Sequence, residues 1–281
     1  MIKENNGLAV YVTDLCNFHC SYCQAKRRRQ SSLMWNDTAT EALKKLLKNR
    51  SFTHACLSGG EPMRDAAILK TVISILRNSL PENAGIVIHT NGSYLTPDLA
   101  DYLNEQKISA DISINFTGEK GLINLLHHSA VPLDFVGTIR RLQAKTIHIV
   151  AKRKQKFAEE AVLLKQIFDC PVVLATDNMK WRTWDETDAE WLKSEWLKLK
   201  NYDKMCFNTW CIIEQFSANM GPYGKSTAFY LPNIVYEAFE EKCAFENTWI
   251  VHDMDPALKE KINALALSMY EKEAPRWNCP L

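Results

Sequence analysis

The sequence predicts an α/β chain: a partial (β/α)6 TIM-like barrel followed by a mainly helical C-terminal extension. Three observations predict it. Short apolar runs alternate with amphipathic segments six times between residues 8 and 176. The connections are short, as parallel strands joined by right-handed crossovers require. Gly, Cys, Ser, Asn and Lys residues recur at the C-terminal ends of the runs, the rim on which such barrels carry their chemistry.

Residues 8–12 form the first strand, which enters a loop holding Cys16, Cys20 and Cys23. Lys26-Arg27-Arg28-Arg29 follows as a solvated basic stretch. Thr38 and Glu41 have capping-box spacing, and Ala39, Ala42, Leu43, Leu46 and Leu47 recur at helical spacing after it. Residues 53–58 read as a buried strand in which Cys56 is an inert core thiol. That strand stops at Gly59-Gly60-Glu61-Pro62, where two adjacent glycines let the backbone approach a ligand with no Cβ in the way.

Ile68, Val72, Ile75 and Leu76 set a helix over about residues 65–79, and residues 84–90 give the third strand, ending in Asn91-Gly92-Ser93. Thr96 and Pro97 start the next helix in N-cap and N1 order. Residues 108–116 form the fourth strand, with Ser113 toward its end. Helical stretches at about 119–129 and 133–143 follow, then a fifth strand at 145–152 ending in Lys152, a helix at 157–168 and a sixth strand at 171–176. The barrel is thus expected over residues 1–176 and the extension over 177–281.

Composition narrows the function classes. The chain has 281 residues, 46% of them hydrophobic and 24% charged, which is ordinary for a globular chain. A net charge of +1 supplies no bulk attraction to nucleic acid or to a membrane surface. The polar start, MIKENNG, lacks the apolar core of a signal peptide, and no apolar run approaches the ~18 residues of a membrane span. Nine cysteines in such a chain point to reduced thiols or metal ligands in the cytoplasm.

Cys16, Cys20 and Cys23 are too many for one disulfide and leave an odd thiol, so a metal centre is the better reading. A structural zinc site asks for a fourth protein ligand, and no partner pair stands nearby. Catalytic zinc with a water remains open, while closely spaced thiolates are more at home on iron–sulfur clusters. A four-iron cube held by three cysteines keeps one iron for a substrate or cofactor.

The spacing C-x3-C-x2-C, with Tyr22 before the last cysteine, resembles the signature of the radical S-adenosylmethionine (SAM) enzymes, and Gly59-Gly60-Glu61-Pro62 resembles that family's second hallmark. The resemblance spans about residues 8–176. It implies a 4Fe-4S cluster on Cys16, Cys20 and Cys23 and SAM chelated at the open iron. One electron then splits SAM to a 5′-deoxyadenosyl radical that abstracts hydrogen from a substrate. It further implies that Gly59, Gly60, Glu61 and Pro62 line the methionine end of SAM and that Tyr22 meets the adenine. Asn91 and Ser113 become candidates for the ribose or carboxylate, and Lys152 for the carboxylate. Ile114-Asn115 stands where many relatives carry an acidic residue, which bears on the ribose contact. No general acid or base is named, because hydrogen-atom abstraction needs none.

Within the family the chain is most similar to the peptide-modifying branch with SPASM or twitch extensions. Cys206, Cys211, Cys243 and Cys279 do not reproduce the SPASM cysteine pattern, so buried single thiols are weighed against ligands of an auxiliary cluster. Trp181, Trp184, Trp191 and Trp196 read as residues covering a core, and helices are expected at about 235–245 and 256–271. The residues 219–226 do not have phosphate-loop spacing. The expected partners are a peptide substrate and an electron donor such as flavodoxin or ferredoxin, with no nucleic acid and no membrane. A small metabolite or nucleotide is the alternative substrate, a protein activase comes third, and a non-enzymatic metal-binding module is the reading from another class.

Overall fold

The computed structural model describes residues 7–20, 23, 35–114, 131–151, 156–176, 191, 194–195, 198, 205–208, 226–230 and 234–238. These form two compact units, Met1–Ile112 with Ser129–Lys145 and Tyr223–Ala244, and Ser113–His128 with Thr146–Pro222 and Phe245–Leu281.

The first unit is built on β1 (Gly7–Thr13), β2 (His54–Gly59), β3 (Gly85–Thr90) and β4 (Ser109–Ser113), which pair in that order and in parallel. Their residues alternate between fully and partly buried, as a pleated strand with two different faces requires. Leu8, Val10, Leu57, Ile86, Ile88, Ala110 and Ile112 make the fully buried face. Against it lie the apolar stripes of α1 (Asp37–Asn49), α2 (Ala66–Ser79) and α3 (Pro97–Glu105), with Leu43, Leu69, Val72, Ile73, Leu76 and Leu103 buried. Burying each such side chain stabilises the fold by about 1.5–3 kcal/mol.

Each of these three helices begins on a side-chain cap. Asp65 Oδ1 accepts from the Ala67 and Ile68 N–H groups, and Thr96 Oγ1 accepts from Leu99 N, as its sequence foretold. The start of α1 differs from expectation. Its cap is Asn36, whose Oδ1 accepts from Ala39 N at 2.9 Å, and Thr38 sits inside the helix. Asn and Thr both cap well, and the phase of the apolar residues does not choose between starts this close together. Arg77 of α2 donates to the carbonyls of Ala84, Gln106 and Lys107, which ties the turns before β3 and β4 to one guanidinium.

α4 (Phe135–Arg141) lies within the residues 133–143 expected to be helical. β5 (Lys145–Ala151), α5 (Phe157–Phe168) and β6 (Val172–Thr176) follow within the bounds read from the sequence. Five strands, β1 to β5, are therefore each followed by a helix. In the second unit β5, β6 and β7 (Met205–Asn208) pair in parallel. There Phe157 meets Trp191 edge-on at 5.5 Å, and Ala158 N at the start of α5 donates to the buried Glu195 carboxylate.

The expectation of a mainly helical extension needs correction. Among its described residues are three strands, β7, β8 (Ser226–Tyr230) and β9 (Ile234–Ala238). β8 joins the first unit's sheet in parallel beside β1, and β9 pairs antiparallel with β8. The helix expected at 235–245 is thus replaced by β9 in its first part. Ile234, Tyr236 and Ala238 alternate with Val235 and Glu237, and so short a run satisfies both periods until a partner strand decides. The stretches 119–129 and 256–271, the loop 219–225, and the side chains of Trp181, Trp184 and Trp196 lie outside the described residues. Among the described residues no helix is long and apolar enough to cross a membrane.

Candidate active site at the strand ends of the first unit

At its C-terminal end β1 leaves regular pairing. The register with β2 shifts between Tyr11 and Thr13, a bulge that turns the chain into the cysteine loop. The two backbones then stay together past the strands, with Gly60 N donating to Thr13 O at 2.6 Å and Glu61 N to Leu15 O at 2.7 Å. This contact explains the glycine pair. A Cβ on Gly59 would run into Thr13 O and one on Gly60 into Leu15 O, and Gly59 has φ +134°, which side chains rarely adopt. The glycines admit the cysteine loop's own backbone.

Glu61 is buried and its carboxylate is spent on the protein. Oε1 accepts from Thr90 Oγ1 at 2.6 Å and from Met63 N at 3.0 Å, and Oε2 accepts from Asn91 N at 2.7 Å. Burial pushes the Glu61 carboxyl above its ordinary value, while the bonds from Thr90, Asn91 and Met63 pull the other way. The end of β2 is thereby fastened to the end of β3. Pro62 is buried and opens the short 3₁₀ turn Pro62–Arg64.

The turn after β3 reaches the cysteine loop. Asn91 Nδ2 donates to Asn17 Oδ1 at 3.0 Å and to Cys16 Sγ at 3.8 Å. Asn17 Nδ2 donates to Ser93 Oγ at 2.8 Å, and the Ser93 hydroxyl donates to Asn91 Oδ1 at 2.6 Å. Gly92, at φ +74°, lets the turn close over Ile112, Phe135 and Ile139, where a Cβ would crowd Phe135 and Ile112. The three strand ends that the sequence set on one rim, those of β1, β2 and β3, are thus joined by hydrogen bonds.

Cys16, Cys20 and Cys23 are in no disulfide and are of intermediate burial in this loop. Cys16 Sγ also accepts from Phe18 N at 3.4 Å, and Cys23 N donates to Cys20 O at 3.2 Å. Two N–H groups aimed at one sulfur suit a thiolate ligand. Among the described residues no group of three His, Cys, Asp or Glu side chains is gathered tightly enough for a single metal ion. The three thiols, with the Phe18 and Asn91 N–H groups on Cys16 Sγ, are a donor set that fits the iron–sulfur group.

Ser113 ends β4 and is half-buried. Tyr22, Lys152, Cys211, Cys243 and Cys279 lie outside the described residues; Cys206 lies in β7, opposite Val173, with only its backbone described. Sequence reasoning missed Asn17. Nothing in the spacing distinguishes it from the other residues between Cys16 and Cys20, since its use depends on Asn91 and Ser93, far along the chain.

Comparison with known proteins bears on the fold and the family. A GTP 3′,8-cyclase from Pasteurella multocida is 29% identical over 113 residues, which cover 38% of this chain and 32% of the cyclase. The chain spans less than half the length of the curated relatives it matches. Among solved structures, native anSMEcpe with bound AdoMet superposes with a TM-score of 0.57 at 12% identity, covering 96% of this chain and 97% of that one. Streptococcus suis SuiB bound to the precursor peptide SuiA gives a TM-score of 0.57 at 12% identity, covering 92% and 66%. The fold is therefore the partial barrel that these structures share. The model of the radical SAM superfamily matches residues 10–151, which carry the cysteine loop, the glycine turn and nearly all of β1 to β5. The chain belongs to the radical SAM superfamily, iron–sulfur enzymes that use a 4Fe-4S cluster and S-adenosylmethionine.

Proposed function

We propose that this enzyme holds its cluster on Cys16, Cys20 and Cys23 and reductively cleaves SAM to start hydrogen-atom abstraction from a peptide substrate. The observation that carries the reading is the hydrogen-bonded assembly of the cysteine loop, Gly60-Glu61 and Asn91 at three adjacent strand ends. The bound group supplies the electron and the coordination site for SAM. The protein's part is to fix the loop: Glu61 holds the Asn91 backbone, and Asn91 holds Asn17 and the Cys16 sulfur.

Gly59, Gly60 and Pro62 then offer backbone to the methionine end of SAM, with Tyr22 at the adenine and Asn91, Ser113 and Lys152 as further candidates. β6 would complete the (β/α)6 arrangement over residues 1–176, with residues 177–281 covering the barrel mouth to keep water from the radical. A flavodoxin or ferredoxin would deliver the electron, in the cytoplasm. Cys206, Cys211, Cys243 and Cys279 stay candidates for an auxiliary cluster.

The peptide is favoured by the likeness to SuiB bound to its precursor peptide, which runs over 92% of this chain and so beyond the barrel. The second reading, a nucleotide, is favoured by the sequence match to the GTP cyclase. Iron and sulfide are measured after anaerobic reconstitution of the parent and of a Cys16→Ala, Cys20→Ala, Cys23→Ala variant, and 5′-deoxyadenosine is assayed with SAM and dithionite. A parent that forms 5′-deoxyadenosine and a variant that does not support the reading. About four irons retained by the variant assign a second cluster to the later cysteines. Zinc in the parent with SAM intact overturns the proposal and leaves the metal-binding module.

A further inference from the structure

The partly buried face of β1 to β4 carries a second group of reactive side chains, and it includes the cysteine that the sequence reading made inert. Cys56 is of intermediate burial, not buried. It stands opposite Val87 in the β2–β3 register, two residues before His89 on the same face of β3. His89 in turn stands opposite Asp111 of β4, with Nδ1 2.9 Å from Asp111 Oδ2. Cys56 and His89 are therefore diagonal neighbours on that face of the β2–β3 pair. Three adjacent parallel strands therefore line up a thiol, an imidazole and a carboxylate, with the imidazole in the middle.

This is the order in which a cysteine nucleophile is activated: the base takes the thiol proton, and a third group orients the base. The Cys56 thiol and Asp111 hold His89 well above its ordinary range, against the opposing effect of burial, so the ring is kept cationic beside the sulfur. His89 is 41% exposed and Asp111 13% exposed, so a small molecule reaches the ring while the carboxylate behind it stays shielded. Alternation places Tyr11, His54, Cys56, His89 and Asp111 as the titratable groups of this face on β1 to β4. His54 packs over Gly7 at the other end of β2, where burial lowers it, and so adds no cation at Cys56.

We propose that Cys56, His89 and Asp111 form a thiol–imidazole–carboxylate centre, outside the cysteine loop, that captures an electrophilic carbon of a bound acyl or alkyl compound. In this centre the Cys56 proton rests on His89, so the sulfur stands as a thiolate beside the imidazolium. The sulfur then forms a bond to the carbon as the bond from that carbon to its leaving group breaks with its electron pair, and His89 returns the proton to the leaving group. No oxidant or reductant is consumed. The centre is a property of the folded sheet and stands whether or not the peptide reading above is right.

Iodoacetamide is the probe. The reconstituted full-length enzyme is pulsed with it anaerobically at pH 6.5, and carbamidomethylation is followed by peptide-resolved mass spectrometry, with the buried Cys170 as the internal unreactive thiol. The parent should label Cys56 far ahead of Cys170, at a rate that changes little between pH 6.5 and 8.5. An ordinary thiol with a pKa of about 8.5 accelerates steeply over that range. His89→Gln should slow Cys56 by roughly tenfold at pH 6.5, and Asp111→Asn should slow it less but measurably. Both variants are accepted as folded on their iron content and circular dichroism melts. A Cys56 rate in the parent that climbs with pH like an ordinary thiol, or one that His89→Gln leaves unchanged, overturns the proposal. The pH comparison needs no variant, so a misfolded mutant does not spare it.

Discussion

Asn91 at the end of β3 donates a hydrogen bond to Cys16 Sγ, 3.8 Å away in the loop that follows β1. With Cys16 as the proposed ligand, a neutral amide on its sulfur would withdraw electron density from it and stabilise a reduced cluster. Asn91→Ala should therefore keep its iron and shift the cluster's reduction potential to more negative values. Electron paramagnetic resonance at poised potentials measures this, and an unchanged midpoint would sink the idea.

Glu61 receives only donors: the Thr90 hydroxyl and the Met63 and Asn91 amides. Glu61→Gln places an NH2 group against one of them, and a buried clash of donors costs about 1–3 kcal/mol. Urea denaturation should show a loss of that size, and reconstitution should yield less iron because the Asn91 backbone is no longer held. A variant as stable as the parent would show that the buried carboxylate braces nothing.

Gly60→Ala drives a Cβ into the Leu15 carbonyl, which is backbone and cannot swing aside. Overpacking of this kind costs about 1–3 kcal/mol, and here the displacement falls on the residue next to Cys16. Iron incorporation should drop together with stability. Gly85→Ala, where a Cβ meets nothing within 4 Å, is the matched control and should leave iron content alone.

His89 also gives stability a pH dependence. Its folded value is raised well above 6.5, so the favourable ion pair with Asp111 is fully present below about 6.5 and is lost as pH climbs through the raised value. Chemical denaturation of the parent and of His89→Gln at a series of pH values should show the widest gap at acidic to neutral pH, narrowing in the alkaline range. A gap that stays constant with pH would mean that the pair does not titrate on unfolding.

The strands β1 to β6 and most helix bounds up to residue 176 were legible because each is set by a local signal. Residues 157–168 were read as a helix and are α5, and Thr96-Pro97 announced the start of α3. What stayed hidden depends on pairing across the chain. Ile234 to Ala238 become a strand only because β8 lies alongside. Asn17 gains its role from Asn91 and Ser93. The two glycines were rightly singled out for close approach, yet the approaching atoms, the Thr13 and Leu15 carbonyls, come from a loop that spacing cannot position. Cys56 was expected to be buried and is half-buried, because a hydrophobic run does not tell which of its residues will lie on the partly buried face.

The pairing of β1 with β8 joins Gly7 to Ser226, so the first strand acquires its second neighbour from a segment made late in synthesis. Until then β1 exposes a row of unpaired backbone groups on a strand whose Leu8, Val10 and Val12 are wholly apolar, the kind of edge along which chains stick to one another. A chain cut just before Ser226 should therefore keep its cysteine loop and glycine turn and still aggregate. In this protein β8 and β9 act as the guard of an edge, and the antiparallel return of β9 moves the sheet's margin away from the strand that leads into the cysteines.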